Sequence, residues 1–527
     1  MDKMDDGRQS LILTLWREKR VVSIAFFIAY CSFQTGFDMA AISGFQSVPG
    51  FLAIFGYVDP DEQNGYNIST KVQTLIQSLM CVGNLVASLF IFAYGSTLSR
   101  RLGLWLAALC SILAISLQIF TTNLSALYVG RVILGISGGF FGTYSLTYMS
   151  EIAPTHLRGP IIGLVSLQGS LGALIGILVD NYTQTISSRL SYQIPLAIMY
   201  LLPIIIGIGL FFIPDSPRYY VSISRPDLAY SSIRRLRGIT DSTVLSSLVA
   251  EIEKGWQAEL EINSSTSLKD IFMGHNLRRT LLSTGCAVAQ TGSGMMFLAS
   301  YAVYFYVQAR VGNPFKWVMI SISIGLTGNM LSFPLSRRVP RRVLLMTSTF
   351  LNSSLMFVMA IVYTLSAPKS ATAGKVLVSL NILITWIYGS AQGPVLWALG
   401  TEIPCQRLRA QTVGFGMGVS SLVIWLCVYC SPYFINPEYL GWGPKYFYVW
   451  GTAGYITTLW VFLFMPETKG RSLEDLDELF ERSVNARAFG KHVVEGRGEV
   501  QVLAVPAGGE KEDGGKAGEV VFVERID

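Results

Sequence analysis

The sequence predicts an all-α membrane protein with twelve transmembrane helices, arranged as two six-helix bundles that repeat each other in parallel. Three observations support this fold. Of the 527 residues, 51% are hydrophobic and only 14% are charged, whereas a soluble domain carries about 25% charged residues. Apolar runs of about 18 residues or more recur along the chain. Motifs of the first half also return in the second half. This composition excludes a soluble enzyme, a disordered scaffold and a nucleic-acid-binding protein.

The apolar runs place the spans and divide the chain into five regions. We predict spans one to six near 22–44, 72–94, 104–121, 127–149, 160–181 and 196–213, and spans seven to twelve near 281–308, 317–335, 343–364, 374–399, 411–433 and 445–465. The regions are a cytoplasmic N-terminus (1–21), an N-terminal bundle (22–214), a cytoplasmic helical linker (215–280), a C-terminal bundle (281–466) and a cytoplasmic tail (467–527).

The linker and the tail differ in their expected order. Apolar residues of the linker recur at helical spacing, as at Leu245, Leu248, Val249 and Ile252. This spacing predicts short amphipathic helices on the membrane surface, and a plain solvated linker is the alternative. From residue 482 the tail is rich in glycine and charge, a composition typical of disorder, so we expect the tail to be largely disordered.

Charge placement predicts the orientation. Arginine and lysine gather in the loops on the side of the N-terminus, which the positive-inside rule assigns to the cytoplasm. Three N-x-S/T sequons fall on the opposite side, at Asn67, Asn123 and Asn181, and we expect glycosylation there. Both termini and the linker are therefore expected in the cytoplasm. We expect the chain to cross its membrane many times, and we expect this membrane to be the plasma membrane.

Repeated motifs indicate a transporter. Glu151 precedes Arg158 by seven residues, and Glu402 precedes Arg409 by the same number. Motifs that begin with Pro214 and Pro466 end the sixth and the twelfth span. Two parallel repeats of six spans are typical of carriers in which two bundles rock around a central site.

The motifs resemble those of the sugar porter family of the major facilitator superfamily, from Gly36 to about Phe480. The strongest matches are the stretches Tyr148–Gly159, Pro214–Arg218, Gly393–Trp397 and Pro466–Arg471. The stretch after span ten resembles the fungal hexose and oligosaccharide branches. The resemblance implies the major facilitator fold and a secondary active transporter, with proton-coupled uptake of a sugar or related polyol by alternating access.

The chain departs from the family pattern where the family binds sugar. Only Gln290 remains of three family amides in span seven, and Ser166 stands at the position of a family glutamine in span five. Arg100 and Arg337 replace an aspartate of the family's two loop motifs. We therefore expect a ligand that is larger or less hydroxylated than free glucose.

Asp38 and Arg131 are the predicted proton-coupling residues. Asp38 is a carboxylate within span one, where a charge costs about 2.5–3.5 kcal/mol on insertion scales. At a rise of 1.5 Å per residue, Asp38 lies about 9 Å and Arg131 about 7 Å below the outer surface. The resemblance implies the same roles. The alternative is a static ion pair that only satisfies two buried groups.

Charges at the cytoplasmic span ends predict a gate. Glu151 with Arg158 and Glu402 with Arg409 are expected to form a latch that closes in the outward-open state. Arg218 and Arg471 could join it. Because Arg100 and Arg337 replace two acids, this latch should be weak. The alternative is a set of helix-end pairs, worth about 0–1 kcal/mol each.

Four residues are predicted to bind substrate. Trp397 offers a flat apolar surface beside a Gly-Pro break in span ten, and Gln290 offers an amide. Tyr301 lies eleven residues after Gln290, about three helical turns, and Ser166 adds a hydroxyl. Packing within the bundle is the alternative for each of the larger side chains.

Two other functions stay open. The same fold could carry another small metabolite, for example by exporting a fungal secondary product, or it could be a nutrient sensor that transports nothing. The sequence shows no arrangement of a nucleophile and a base that would indicate an enzyme. It also shows no spacing of His or Cys residues that would predict a metal site. We expect no cofactor, with protons as the coupling ion. The expected partners are a small-molecule substrate and membrane lipid, with no nucleic acid, and the chain is expected to be a monomer.

Overall fold

The computed structural model describes residues 18–60, 65–95, 97–154, 157–238, 241–264, 268–308, 312–366, 371–469, 473–482 and 484–489. The architecture is helical, as predicted. Its β-structure in these residues is one short antiparallel hairpin, in which Tyr57–Val58 pairs with Tyr66–Asn67. Eleven helices of the described residues are long and apolar enough to cross a membrane. Span seven adds the twelfth crossing, divided into two shorter helices.

The N-terminal bundle contains spans one to six, at Lys19–Phe45, Thr70–Tyr94, Arg100–Phe120, Leu124–Ile152, Arg158–Thr183 and Leu190–Phe212. A short helix at Pro49–Phe55 follows span one. Side-chain caps begin several spans: Ser69 accepts a hydrogen bond from Val72 N, and Ser99 accepts one from Leu102 N. These caps satisfy backbone donors at the helix ends.

The C-terminal bundle contains spans seven to twelve, at Gly274–Thr291 with Met295–Gln308, Pro314–Arg338, Arg341–Leu365, Ala371–Glu402, Arg409–Ile435 and Phe447–Phe464. Span seven breaks at residues 292–294, where Gly294 has a positive φ of 79°, a conformation that glycine adopts without strain. Span ten contains one π-helical turn at Tyr388–Gln392.

Small residues allow the spans to pack closely. A Cβ atom on Gly36 of span one would lie 1.9 Å from Gly169 O of span five. A Cβ atom on Gly135 of span four would lie 2.1 Å from Met80 O of span two. Backbones that touch in this way are typical of helix pairs in membranes.

The two bundles meet on the side that the placement of charges assigns to the outside of the cell, called the extracellular side below. One apolar cluster joins them there and includes Phe37 and Phe45 from the first bundle and Tyr301, Phe315 and Ile435 from the second. On the cytoplasmic side the buried core divides into two clusters, of which one belongs to each bundle. This division indicates an inward-facing arrangement, closed to the outside.

Helices occupy the linker, at Pro217–Ser222, Pro226–Arg237 and Ser242–Ser264. Ile233, Leu245 and Val249 form a small apolar cluster between them. Arg235 donates a hydrogen bond to Phe212 O at the cytoplasmic end of span six. The linker therefore packs against the N-terminal bundle. Span seven begins at Gly274, seven residues before the predicted start.

Part of the tail is ordered. Residues 473–481 form a helix, and the chain then turns back against the base of span seven. Arg279 is 2% exposed, and its Nη1 lies 2.6 Å from Asp477 Oδ1. Arg278 donates a hydrogen bond to Val484 O. A buried guanidinium and apolar side chains therefore hold this segment in place, and the expectation of a largely disordered tail stays a prediction. Residues 490–527 lie outside the described part.

Candidate functional site

Asp38 and Arg131 form a buried ion pair. Arg131 Nη1 lies 3.0 Å from Asp38 Oδ1, and the two side chains are 0% and 5% exposed. Arg131 Nε also donates a hydrogen bond to Ile76 O of span two, so the guanidinium ties spans one, two and four together. Depth along the helices predicted this contact, and the structure contains it. Its role in coupling stays a prediction.

Gln290 and Trp397 line one crevice in the C-terminal bundle. The crevice has a volume of about 10 Å³, about enough for one water molecule. Its walls come from spans seven, ten and eleven, with Ser283, Thr401 and Gly416 among them. The Trp397 side chain is 48% exposed. The Gln290 side chain also hydrogen-bonds the Tyr388 hydroxyl. An amide and a half-exposed indole ring therefore stand together, and their role in binding a substrate stays a prediction.

Buried amides lie within spans nine and ten of the same bundle, and sequence reasoning missed them. Asn352 Nδ2 of span nine lies 2.7 Å from Gln392 Oε1 of span ten. Asn381 of span ten donates to the hydroxyl of Tyr306. Gln392 ends the π-helical turn, a feature that often marks functional sites. The amides within apolar runs were the signal that could have revealed these residues.

The structure separates Tyr301 from Gln290. Tyr301 is fully buried in the extracellular cluster, and its hydroxyl donates to Val428 O at 2.9 Å. The prediction that the two share one helix face was wrong, because span seven breaks between Thr291 and Met295. Ser166 is exposed and is not among the residues that line the crevice.

The cytoplasmic acids pair within each bundle. Glu151 lies 3.0 Å from Arg100 at the start of span three. Glu402 pairs in the same way with Arg341 at the start of span nine. The expected pairing of Glu402 with Arg409 is therefore corrected, whereas the pairing of Glu151 with Arg158 involves a side chain outside the described part of the chain. Each glutamate ends one helix beside the first residue of a neighbouring span, whereas Arg158 and Arg409 begin the helices that follow.

The other predicted gate residues have different surroundings. Arg409 is half-buried, and two of its nitrogens have no hydrogen-bond partner among the described residues. Arg218 is half-buried at the start of the first linker helix. The Arg158 side chain and Arg471 lie outside the described part of the chain. Arg341 begins span nine and pairs with Glu402, as Arg100 begins span three and pairs with Glu151, so Arg341 is the structural counterpart of Arg100. The Arg337 side chain lies outside the described part of the chain.

Hydrogen bonds close the extracellular side between the bundles. Glu438 Oε2, from the loop after span eleven, accepts from Thr70 N at 3.0 Å and from Thr70 Oγ1 at 2.8 Å. It therefore places a carboxylate at the positive N-terminus of span two. Asn436 donates to Gln73, and Gln77 donates to Ser300 O.

The three sequons differ in their surroundings. Asn123 is exposed at the start of span four. Asn67 is 9% exposed, and its Nδ2 donates to Asp59. Asn181 accepts a hydrogen bond from Asn313 across the two bundles. The geometry therefore favours glycosylation at Asn123, since a glycan on Asn181 would occupy the contact between the bundles.

A family model described as "Sugar (and other) transporter" matches residues 24–480. The chain belongs to this family. It is therefore a multi-pass membrane protein of a transporter family and not an enzyme, as the sequence predicted. The match covers both bundles, the linker and the ordered tail helix.

Three similar proteins place the chain within the family. The general alpha-glucoside permease of Saccharomyces cerevisiae is 28% identical over 482 residues, which cover 88% of this chain and 76% of the permease. The high glucose sensor RGT2 of the same yeast is 28% identical over 476 residues, and the chain spans 61% of its length. The inward-open xylose transporter XylE from E. coli has a TM-score of 0.71 at 19% identity, covering 87% of this chain and 99% of XylE. The likeness to XylE shows the major facilitator fold.

Proposed function

We propose that this protein takes up a sugar together with protons by alternating access, and that an α-glucoside suits its site better than free glucose. The observation that carries the proposal is the buried pair of Asp38 and Arg131. An unpaired charge at this depth is costly. When the Asp38 carboxylate takes up a proton, it loses its ion pair with Arg131, and the contact between spans one and four is weakened.

The coupling step follows from the contacts of Arg131. In the inward-facing state Arg131 holds Asp38 of span one and Ile76 O of span two at once. A proton on Asp38 removes the charge attraction and releases span one from the arginine. A carrier with two conformations then shifts toward the one that binds the protonated acid better.

Sugar recognition belongs to the C-terminal bundle. Trp397 can stack on the C–H face of a sugar ring, while Gln290 and Tyr388 can bond hydroxyls. Only one family amide remains in span seven, so stacking area should contribute more than a dense hydrogen-bond network. The resemblance to an alpha-glucoside permease supports a disaccharide as substrate.

Proteoliposomes test the proposal. Wild type is expected to accumulate radiolabelled maltose against its gradient when the outside is acidic, and a dye in the lumen should report proton entry with the sugar. Asp38→Asn should exchange maltose but not accumulate it. Asp227→Asn, the same change at an exposed linker residue, should match wild type. Accumulation by Asp38→Asn equal to that of wild type would disprove the coupling role.

A sensor that transports nothing is the second candidate, because the glucose sensor is as similar to this chain as the permease is. Exchange distinguishes the two. A carrier exchanges labelled for unlabelled maltose or glucose across the liposome membrane, whereas a sensor binds a sugar without exchanging it.

A further inference from the structure

A second aspartate is buried where the two bundles meet on the extracellular side. Asp180 lies in the last turn of span five and is 0% exposed. Neither carboxyl oxygen has a hydrogen-bond partner among the described residues. This environment differs from that of Asp38, which has a guanidinium at 3.0 Å. An ionised carboxylate without a partner is very costly in an apolar site, and such a group takes up a proton instead.

The carboxyl is sealed by residues from both bundles. A Cβ atom on Gly44 of span one would lie 2.0 Å from Asp180 Oδ2 and 3.1 Å from Phe315 Cε1. Gly44 therefore leaves the space in which the carboxyl and the phenyl ring meet. Phe315 belongs to span eight of the C-terminal bundle and is 2% exposed. The next residue along the chain, Asn181, bonds Asn313 across the same contact.

Among the residues that the structure describes, no neighbouring charge neutralises Asp180. The charged and titratable side chains on the outer parts of the spans packed against it are Asp38, Tyr128, Arg131, Arg189, Tyr192 and Lys316. Asp38 and Arg131 pair with each other, while Arg189 and Lys316 are exposed. None of the six forms a hydrogen bond or ion pair with the Asp180 carboxyl.

We propose that Asp180 is a second proton-binding site, which takes a proton from the extracellular side each time the outer gate closes. Closure brings Phe315 over the carboxyl and requires the neutral form. Opening withdraws the ring, admits water and lets the acid ionise. Because the inward-facing structure buries Asp180, its proton returns to the outside when the gate reopens. Asp180 therefore sets how external pH biases the gate, whereas Asp38 serves coupling.

The sign and size of the effect follow from linkage. The open state binds fewer protons at Asp180 than the closed state, so acid favours closure. Over the pH range in which the acid is ionised when open and neutral when closed, the ratio of closed to open molecules should change about tenfold per pH unit. This inference builds on alternating access in the proposed function, but it needs neither sugar nor net proton transport.

The test is a distance measurement across the outer gate. Spin labels at Phe120→Cys and Leu365→Cys, in a background without the native cysteines, mark the outer ends of spans three and nine. Both positions are more than 80% exposed. Pulsed electron spin resonance in nanodiscs without sugar should show the closed distance gaining population from pH 8 to pH 5.5 in the otherwise wild-type chain. Asp180→Asn should hold the closed distance at both pH values, and the smaller neutral variant Asp180→Ser should do the same.

Asp227→Asn, the same change at an exposed carboxylate of the linker, is the matched control and should keep the pH response. A wild-type distance distribution that does not change with pH would overturn the proposal. An unchanged response in both Asp180 variants would also overturn it, even if maltose uptake proves to be proton-coupled. If the distances change as expected but the protein does not exchange maltose, the proposed function fails while this inference stands.

Discussion

The two bundles share one topology but bury different polar groups. Among the described residues, three buried ionisable side chains lie within the spans of the N-terminal bundle, at Asp38, Arg131 and Asp180. In the C-terminal bundle, among the described residues, the buried charged side chain is Arg279 at the cytoplasmic base of span seven. Both bundles also bury amides, so the difference between them lies in the ionisable groups; the amides include Gln34, Gln118 and Gln168 in the first bundle and Asn352, Asn381 and Gln392 in the second. This difference suggests that one bundle serves protons and the other serves the sugar.

The largest expected effect breaks the ion pair of the N-terminal bundle. Arg131→Ala leaves Asp38 buried without its cation, and the loss of one partner of a buried pair costs about 3–5 kcal/mol. We expect a large fall in the melting temperature of the purified protein in detergent. The double variant Arg131→Ala with Asp38→Asn should recover much of this loss, since no charge is then stranded. Equal melting temperatures for the single and double variants would refute this explanation.

The next effect is confined to the C-terminal bundle. Trp397→Ala removes the half-exposed indole of the crevice, so the KM for maltose should rise about tenfold, which corresponds to about 1.4 kcal/mol. The number of protons that enter per maltose should not change. Trp425→Ala, which alters a partly exposed tryptophan of span eleven outside the crevice, is the control. A changed proton-to-maltose ratio in Trp397→Ala would argue against the division of roles.

A smaller effect should come from restoring an amide to the sugar site. Met296 follows the break of span seven and stands where the resemblance implies an asparagine. Met296→Asn should lower the KM for D-glucose several-fold, because the new amide supplies a partner for a sugar hydroxyl. It should change the KM for maltose less. Competition between the two sugars in the uptake assay measures the shift. Tight, selective glucose uptake by the unmodified protein would contradict this interpretation of the site.

The smallest effect is expected at the cytoplasmic helix ends. Glu402 pairs with Arg341 inside one bundle, and both side chains are about a quarter exposed. Exposed pairs are worth about 0–1 kcal/mol, so Glu402→Gln should change the closure of the cytoplasmic side less than tenfold. Crosslinking between cysteines placed at the cytoplasmic ends of the two bundles would measure it. A larger change would restore the idea of a latch between the bundles.

The sequence predicted most of the fold, because burial in a bilayer demands long apolar helices and the two repeats mark their order. It also predicted the contact of Asp38 and Arg131, since depth along a helix can be counted from residue number. The same counting failed for Tyr301, where a glycine-rich break changes the helix phase. Glu402 paired with Arg341 rather than Arg409 because neighbouring helices in space, and not distance along the chain, supply its partner.

The central claim is that the N-terminal bundle binds the coupling proton and the C-terminal bundle binds the sugar. The most direct measurement compares Asp38→Asn with Gln290→Ala in the same proteoliposomes, recording the accumulation ratio and the KM for maltose. We predict that Asp38→Asn loses accumulation while its exchange KM stays near that of wild type. Gln290→Ala should raise the KM and still accumulate maltose once the sugar is saturating. Accumulation of maltose by Asp38→Asn would contradict this assignment. So would a Gln290→Ala variant that exchanges saturating maltose without accumulating it.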